Sequence, residues 1–270
     1  MPTVQLAGGI SFFEDRGDGD ALVLLHGHPF DRTMWRPQLE FCRELGWRVI
    51  APDLRGYGAS AAAAGEIHFE QFALDIAALL DKLGIERIVL GGLSMGGQIA
   101  MEFFRMFPER VRGLILADTS ARADTPEVKR TRHTVADRVL ADGMTAYAQE
   151  LLPKMIAPAT IAGRPDIAKH VLSMMRGASP DGAAAALRGR ADRTDYLDLL
   201  ERIEFPVLVV VGKDDSLTPL ADAEQMFDRI TNANLLLVGN AAHMPNLEQP
   251  GLFNAGLVGF LSKFRPLSQR

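Results

Sequence analysis

Apolar and polar positions follow two alternating rhythms along the chain. Short apolar runs at Ala21–Leu25, 48–51, 87–90, 113–117, 206–211 and 234–238 are bounded by Gly, Pro, Asn or Asp, which predicts strands. Ala21–Leu25 is apolar throughout, as expected of a strand covered on both faces. Between these runs, apolar residues recur at helical spacing, predicting helices over 31–45, 69–83, 95–107, 220–230 and 251–264. Phe72, Ile76, Leu79, Leu80 and Leu83 form one such stripe, with Gly84 placed to end it, and Pro108 ends the helix before it. Residues 4–6 and 10–14, joined around Gly8 and Gly9, predict an antiparallel hairpin.

Strands alternating with helices at this rhythm predict an α/β fold, a mostly parallel central sheet flanked by helices. In such sheets ligands gather at the loops following the carboxyl ends of the strands. The rhythm breaks between residues 121 and 203, where Met144, Tyr147, Met155, Met174, Met175 and the alanine run 183–186 indicate helix and no strand pattern occurs. The predicted division is a core of residues 1–120 and 204–270 with a helical cap inserted at 121–203. The alanine tract 61–64 reads as a loop without a motif.

Composition narrows the function. The chain has 270 residues, 47% apolar and 23% charged, as in soluble globular proteins. Its net charge of −5 supplies no basic footprint for nucleic acid or an anionic membrane, so neither is expected as a partner. No apolar run approaches the roughly 20 residues of a membrane span, and the first residues lack the pattern of a signal peptide. The single cysteine, Cys42, forbids an internal disulfide and reads as a packing thiol. A reducing, cytoplasmic location is the expectation. The oligomeric state is open.

The chemistry lies in four loops. Gly92-Leu93-Ser94-Met95-Gly96-Gly97 follows a predicted strand and opens a predicted helix, the context in which Gly-x-Ser-x-Gly forms a nucleophile elbow. Ser94 is the candidate nucleophile. The spacing of these glycines does not fit a dinucleotide-binding loop. His26-Gly27-His28-Pro29-Phe30 follows the 21–25 strand. Acyl transfer needs N–H donors for an oxyanion; the amides of Met95 and Phe30 are the candidates, Pro29 having no N–H to give. His26 reads as a backbone brace. Asp214 and Asp215 share the loop after 206–211, and His243 lies in the loop after 234–238. An imidazole there can take a serine proton near neutral pH, oriented by one of the two carboxylates. His68, His133 and His170 read as surface or cap residues, and His28, Trp35, Met144, Tyr147, Leu151 and Met155 are expected to line the pocket.

The segments HGHPFDRTMW, APDLRGYGAS, GLSMGGQIAMEFFRMFPERVRGLILAD, VVGKDDSLTP and AAHMPNLEQP resemble the α/β-hydrolase superfamily along nearly the whole chain. The likeness is greatest to its small esterase, cofactor-free haloperoxidase (perhydrolase) and enol-lactonase branch. The resemblance implies a triad of Ser94, Asp215 and His243, with Asp215 favoured over Asp214 by the family's spacing and Asp118 a second choice, and it implies that 53–58 is a structural turn. Chain order Ser, Asp, His agrees. Serine at the elbow departs from haloalkane dehalogenases and epoxide hydrolases, which carry aspartate there. The implied activity is cleavage of a small-molecule ester or lactone, with neither metal nor organic cofactor. Rival readings are perhydrolysis or C–C hydrolysis on the same triad, a ligand-binding receptor with slow turnover, and a non-catalytic interaction protein.

Overall fold

The structure of the chain, a computed structural model, describes residues 3–6, 9–60 and 65–264. The alanine tract 61–64 and the hairpin tip at 7–8 lie outside the described residues. Eight strands form one sheet: β1 (Thr3–Leu6), β2 (Gly9–Arg16), β3 (Ala21–Leu25), β4 (Arg48–Pro52), β5 (Ile88–Leu93), β6 (Val111–Ala117), β7 (Val207–Gly212) and β8 (Ala233–Val238). Their order is β1-β2-β4-β3-β5-β6-β7-β8. β1 and β2 pair antiparallel, with Leu6 opposite Gly9, and β2 runs antiparallel to β4; from β4 to β8 every pairing is parallel.

β3, β5 and β7 are buried at every position because alternate side chains enter two separate cores. Val23, Leu25, Leu90, Val209 and Val211 face one core with helices α2 (Phe69–Lys82), α3 (Met95–Met106) and, further on, α10 (Leu220–Arg229). Leu22, Leu24, Val89, Leu208 and Val210 face the other, closed by α1 (Arg36–Glu44) and α12 (Pro250–Leu261).

The helix expected from residue 31 begins instead as a 3₁₀ turn, Arg32–Trp35, capped by Asp31, which accepts from the Thr33 amide at 2.8 Å. The α-helix starts only at Arg36, with Pro37 in its first turn, where no N–H is needed. β5 runs three residues past its expected end, through Gly91 and Gly92 into Leu93, because these residues pair with Ile115, Leu116 and Ala117 of β6.

Between β6 and β7 the described chain is helical: α4 (Pro126–Asp142), α5 (Met144–Met155), α6 (Pro158–Gly163), α7 (Pro165–Gly177), α8 (Pro180–Ala191) and α9 (Leu197–Leu200). Thr125 and Ser179 cap α4 and α8 with their hydroxyls, each followed by a proline. α4 packs against α8. Among the described residues, no helix is long and apolar enough to cross a membrane.

Candidate active site

The parallel order β5-β6-β7-β8 sets four chain reversals side by side at one edge of the sheet. Ser94 follows β5 and caps α3 at φ 57°, ψ −117°, a backbone conformation that side chains seldom adopt. Backbone bonds hold it there: its amide donates to Ala117 O at 2.9 Å, and its carbonyl accepts from Thr119 Oγ1 at 2.7 Å. The turn is so tight that a Cβ on Gly92 would strike the Gly96 carbonyl, and one on Gly96 the Leu25 carbonyl.

One strand over, Asp118 lies at φ 43° after β6, its amide bonded to Val210 O and its Oδ1 accepting from the Gly212 amide at 2.8 Å. Two strands over, Asp215 is buried while Asp214 is exposed. His243, in the loop after β8, donates from Nδ1 to Asp215 Oδ2 at 2.7 Å. The same oxygen accepts from Thr218 Oγ1 at 2.6 Å, and Oδ1 accepts from the Leu217 amide at 2.8 Å. Burial pushes the Asp215 carboxyl upward, but His243 and these donors outweigh it and hold the group below its ordinary value. Asp215 is therefore an anion. Asp118 goes the other way: burial, then the neighbouring Asp215 charge, raise it well above the ordinary value. The imidazole takes the ionised carboxylate, not the second-choice acid.

Asp118, Asp215 and His243 also form the one group among the described residues whose spacing would suit a metal ion, each bringing one atom within 4.8 Å of the others. Asp215 Oδ2 and His243 Nδ1 bond each other and Asp118 Oδ1 accepts from the Gly212 amide, so these three atoms of the group are engaged in hydrogen bonds.

The loop after β3 abuts Ser94: a Cβ on Gly27 would sit 3.3 Å from the Ser94 Cβ. His26 braces this loop, as expected. Its Nε2 accepts from the Leu54 amide at 2.9 Å and its Nδ1 donates to Gly27 O. Phe30 requires a correction. Its amide, expected to face the oxyanion, donates to Gly27 O at 3.0 Å and closes a turn on itself. The His28 and Met95 amides have no acceptor among the described residues. Trp35 requires a second: it is 0% exposed and packed on Phe253 at a ring separation of 6.0 Å. Met144 and Met155 pack into the two cores, and Leu151 lies half-buried against the second. Of the expected lining residues, His28 and Tyr147 meet: His28 Nε2 is 3.2 Å from Tyr147 Oη, and Nδ1 is 2.7 Å from Tyr57 Oη. Neither Ser94 Oγ nor His243 Nε2 has a hydrogen-bond partner among the described residues.

Asp53, in the 53–58 turn, accepts from the amides of Arg32 at 2.9 Å and Ala59 at 2.8 Å, a structural role. Cys42 is buried, and burial pushes its thiol up to about 12, so it stays a packing thiol near neutral pH. His68 is exposed; His133 and His170 are half-buried on the helical segment.

Sequence reading missed Glu248. This buried carboxylate in α11 (Pro245–Glu248) accepts from the Ala242 amide, the Ala157 amide and Thr160 Oγ1, all at 2.7 Å. It ties the His243 loop to the start of α6. Glu248→Ala leaves three buried donors unpaired, and unfolding in urea is expected to show a loss of about 3 kcal/mol or more. Glu248→Gln keeps one acceptor oxygen but turns an NH₂ group toward a donor, so it falls between.

Burial lowers His26 from its ordinary value of 6.5; burial, then the charges of Arg190 and Arg132, carry His28 well below it. In the unfolded chain both rings bind protons as pH falls through 6.5, while in the folded protein they bind them only at lower pH. The unfolded state then holds more protons, so stability falls with pH. Urea midpoints are expected to be insensitive to these two groups above pH 6.5 and to fall steadily below it. His26→Asn should flatten that slope.

A family model described as the alpha/beta hydrolase fold matches residues 20–250. The chain belongs to the α/β-hydrolase family, and it is an enzyme of that superfamily with esterase and lactonase relatives. A thermophilic esterase of Thermogutta terrifontis, solved with malate bound, is 40% identical with a TM-score of 0.93, covering 97% of this chain and 96% of that one. 3-Oxoadipate enol-lactonase 2 of Acinetobacter baylyi is 30% identical over 92% of this chain and 91% of its own length. A non-heme haloperoxidase of Rhodococcus erythropolis is 29% identical over 97% and 99%.

Proposed function

We propose that the chain is a serine hydrolase that cleaves carboxylic esters or lactones through an acyl-enzyme on Ser94. The observation that carries this reading is the buried, hydrogen-bonded His243–Asp215 pair at the same sheet edge as a serine on a strained strand-to-helix turn. His243 Nδ1 is committed to an ionised acceptor, which fixes the tautomer with Nε2 bare. Nε2 takes the Ser94 proton, Ser94 Oγ attacks the carbonyl carbon, and the imidazolium formed is held by the Asp215 charge. The oxyanion is received by the Met95 amide, at the positive end of α3, and by the His28 amide, in place of Phe30. His243 returns the proton to the leaving alcohol. Water, deprotonated by the same nitrogen, then releases the acid. No step draws on a metal or organic cofactor. A lactone follows the same path, its alcohol remaining tethered to the acid.

The helices of 121–203 act as a cap: Tyr147 on α5 reaches His28, in the loop that abuts Ser94 through Gly27. The haloperoxidase relative supports one further outcome, hydrogen peroxide replacing water as the acceptor of the acyl group. The test is product analysis on esters and lactones of graded acyl length, with and without peroxide. Free acid from esters or lactones is the expected result, and peracid the expected extra product if peroxide competes. Turnover of neither class would contradict the proposal.

A further inference from the structure

Three arginines crowd one carboxylate in the helical segment. Arg132 on α4 and Arg193, just beyond α8, both bond Asp124, through Nη2 at 3.2 Å and Nη1 at 2.6 Å respectively. Arg190, in the last turn of α8, is left over. Its Nε donates to Gln98 Oε1 at 2.8 Å, while Nη1 and Nη2 have neither a hydrogen bond nor a carboxylate partner among the described residues. Three guanidiniums therefore share one anion.

The surplus charge is tied to the helix that the reacting serine opens. Gln98, wholly buried, sits one turn into α3, and its amide donates to the Ser94 carbonyl at 3.2 Å. That turn advances the helix by about 6 Å. Arg190 is half-buried. The polar groups that share its surroundings, His28, Tyr57 and Tyr147, cannot neutralise it: the ring is neutral, and burial raises both phenols. Burial, then the charges of Arg132 and Arg193, press against the charged form of Arg190 itself. A guanidinium stays charged at any working pH, so its field persists where the dielectric is low. Its two free Nη groups form the fork that a carboxylate fits.

We propose that Arg190 binds a carboxylate at the end of the substrate remote from the scissile bond, so that the preferred ester or lactone is an anion. This rests on the hydrolase reading of Ser94. Two sources share that chemistry: a half-ester of a short dicarboxylic acid carries the charge on its acyl side, and an ester of a hydroxy acid carries it on its alcohol side.

The test compares kcat/KM for each anionic ester with that for its methyl-capped neutral analogue, in wild type, Arg190→Gln and Arg190→Lys. Wild type is expected to prefer the anion in one series, and that series names the charged side. Arg190→Gln should lower the anion-to-neutral ratio by about 10- to 100-fold, the worth of a charge-assisted bond, and Arg190→Lys should recover part of it. A purely structural role for Arg190 would move both esters together and leave the ratio unchanged. Should Arg190→Gln fail to fold, glutarate is added to wild type turning over a neutral ester. Competitive inhibition by glutarate and none by its diamide supports the site; equal inhibition, or none, overturns it. Labelling of Ser94 by a fluorophosphonate separates the two readings. With Ser94 labelled and neutral esters cleaved, an unchanged ratio overturns the carboxylate site alone. Without label or turnover, both readings fall.

Discussion

Ser94→Ala is expected to lower kcat for ester cleavage by about 10⁴- to 10⁶-fold. Alanine keeps the Cβ and the backbone of the elbow, so the bonds to Ala117 and Thr119 persist and the substitution removes the Oγ alone. Thermal melting should confirm an unchanged fold, and KM should change little because substrate contacts away from Oγ are intact. The remaining rate reports the amides of Met95 and His28 acting without a nucleophile. Initial rates on an activated ester provide the measurement. A loss of less than about tenfold would mean that another group attacks the carbonyl, since an intact triad supplies far more than that.

Asp215→Asn is expected to cost about 10⁴-fold in kcat. The amide has one acceptor oxygen, which Thr218 Oγ1 and the Leu217 amide also seek. If its NH₂ turns toward His243, Nδ1 must become the acceptor and Nε2 the protonated nitrogen, which cannot take a proton from Ser94. The imidazolium also loses its counter-charge. Asp214 is exposed, and Asp214→Asn is expected to leave kcat within about twofold. Parallel rate measurements on the two variants decide the acid: a damaging Asp214→Asn with a tolerated Asp215→Asn would reverse the assignment.

What was legible from sequence follows from how local each signal is. β3 and β7 stand out because burial on both faces leaves only apolar residues in a short run. The elbow is legible because small residues must flank Ser94 for steric reasons that hold within six positions. The choice of Asp215 over Asp214 came from resemblance, and its physical basis is burial: the two neighbours differ only in which faces His243. Trp35 and Phe30 show what local signals omit. An aromatic at helical spacing does not say which face it presents, and Trp35 turned to Phe253 rather than to the pocket. That Pro29 lacks an N–H can be read directly; that Phe30 spends its own on Gly27 depends on the path of the loop. Glu248 and Arg190 were invisible for a different reason. Glu248 draws its meaning from Ala157 and Thr160, some 90 residues away, and Arg190 from Gln98, 92 residues away.

The most direct test of the central claim is the site of covalent attachment. The native protein is treated with a fluorophosphonate, its intact mass is measured, and the adduct is mapped by peptide mass spectrometry. One phosphonyl group per chain on the peptide containing Ser94, absent from protein unfolded before treatment, is the predicted result. An adduct confined to another residue, or an unmodified chain that still cleaves esters, would contradict it.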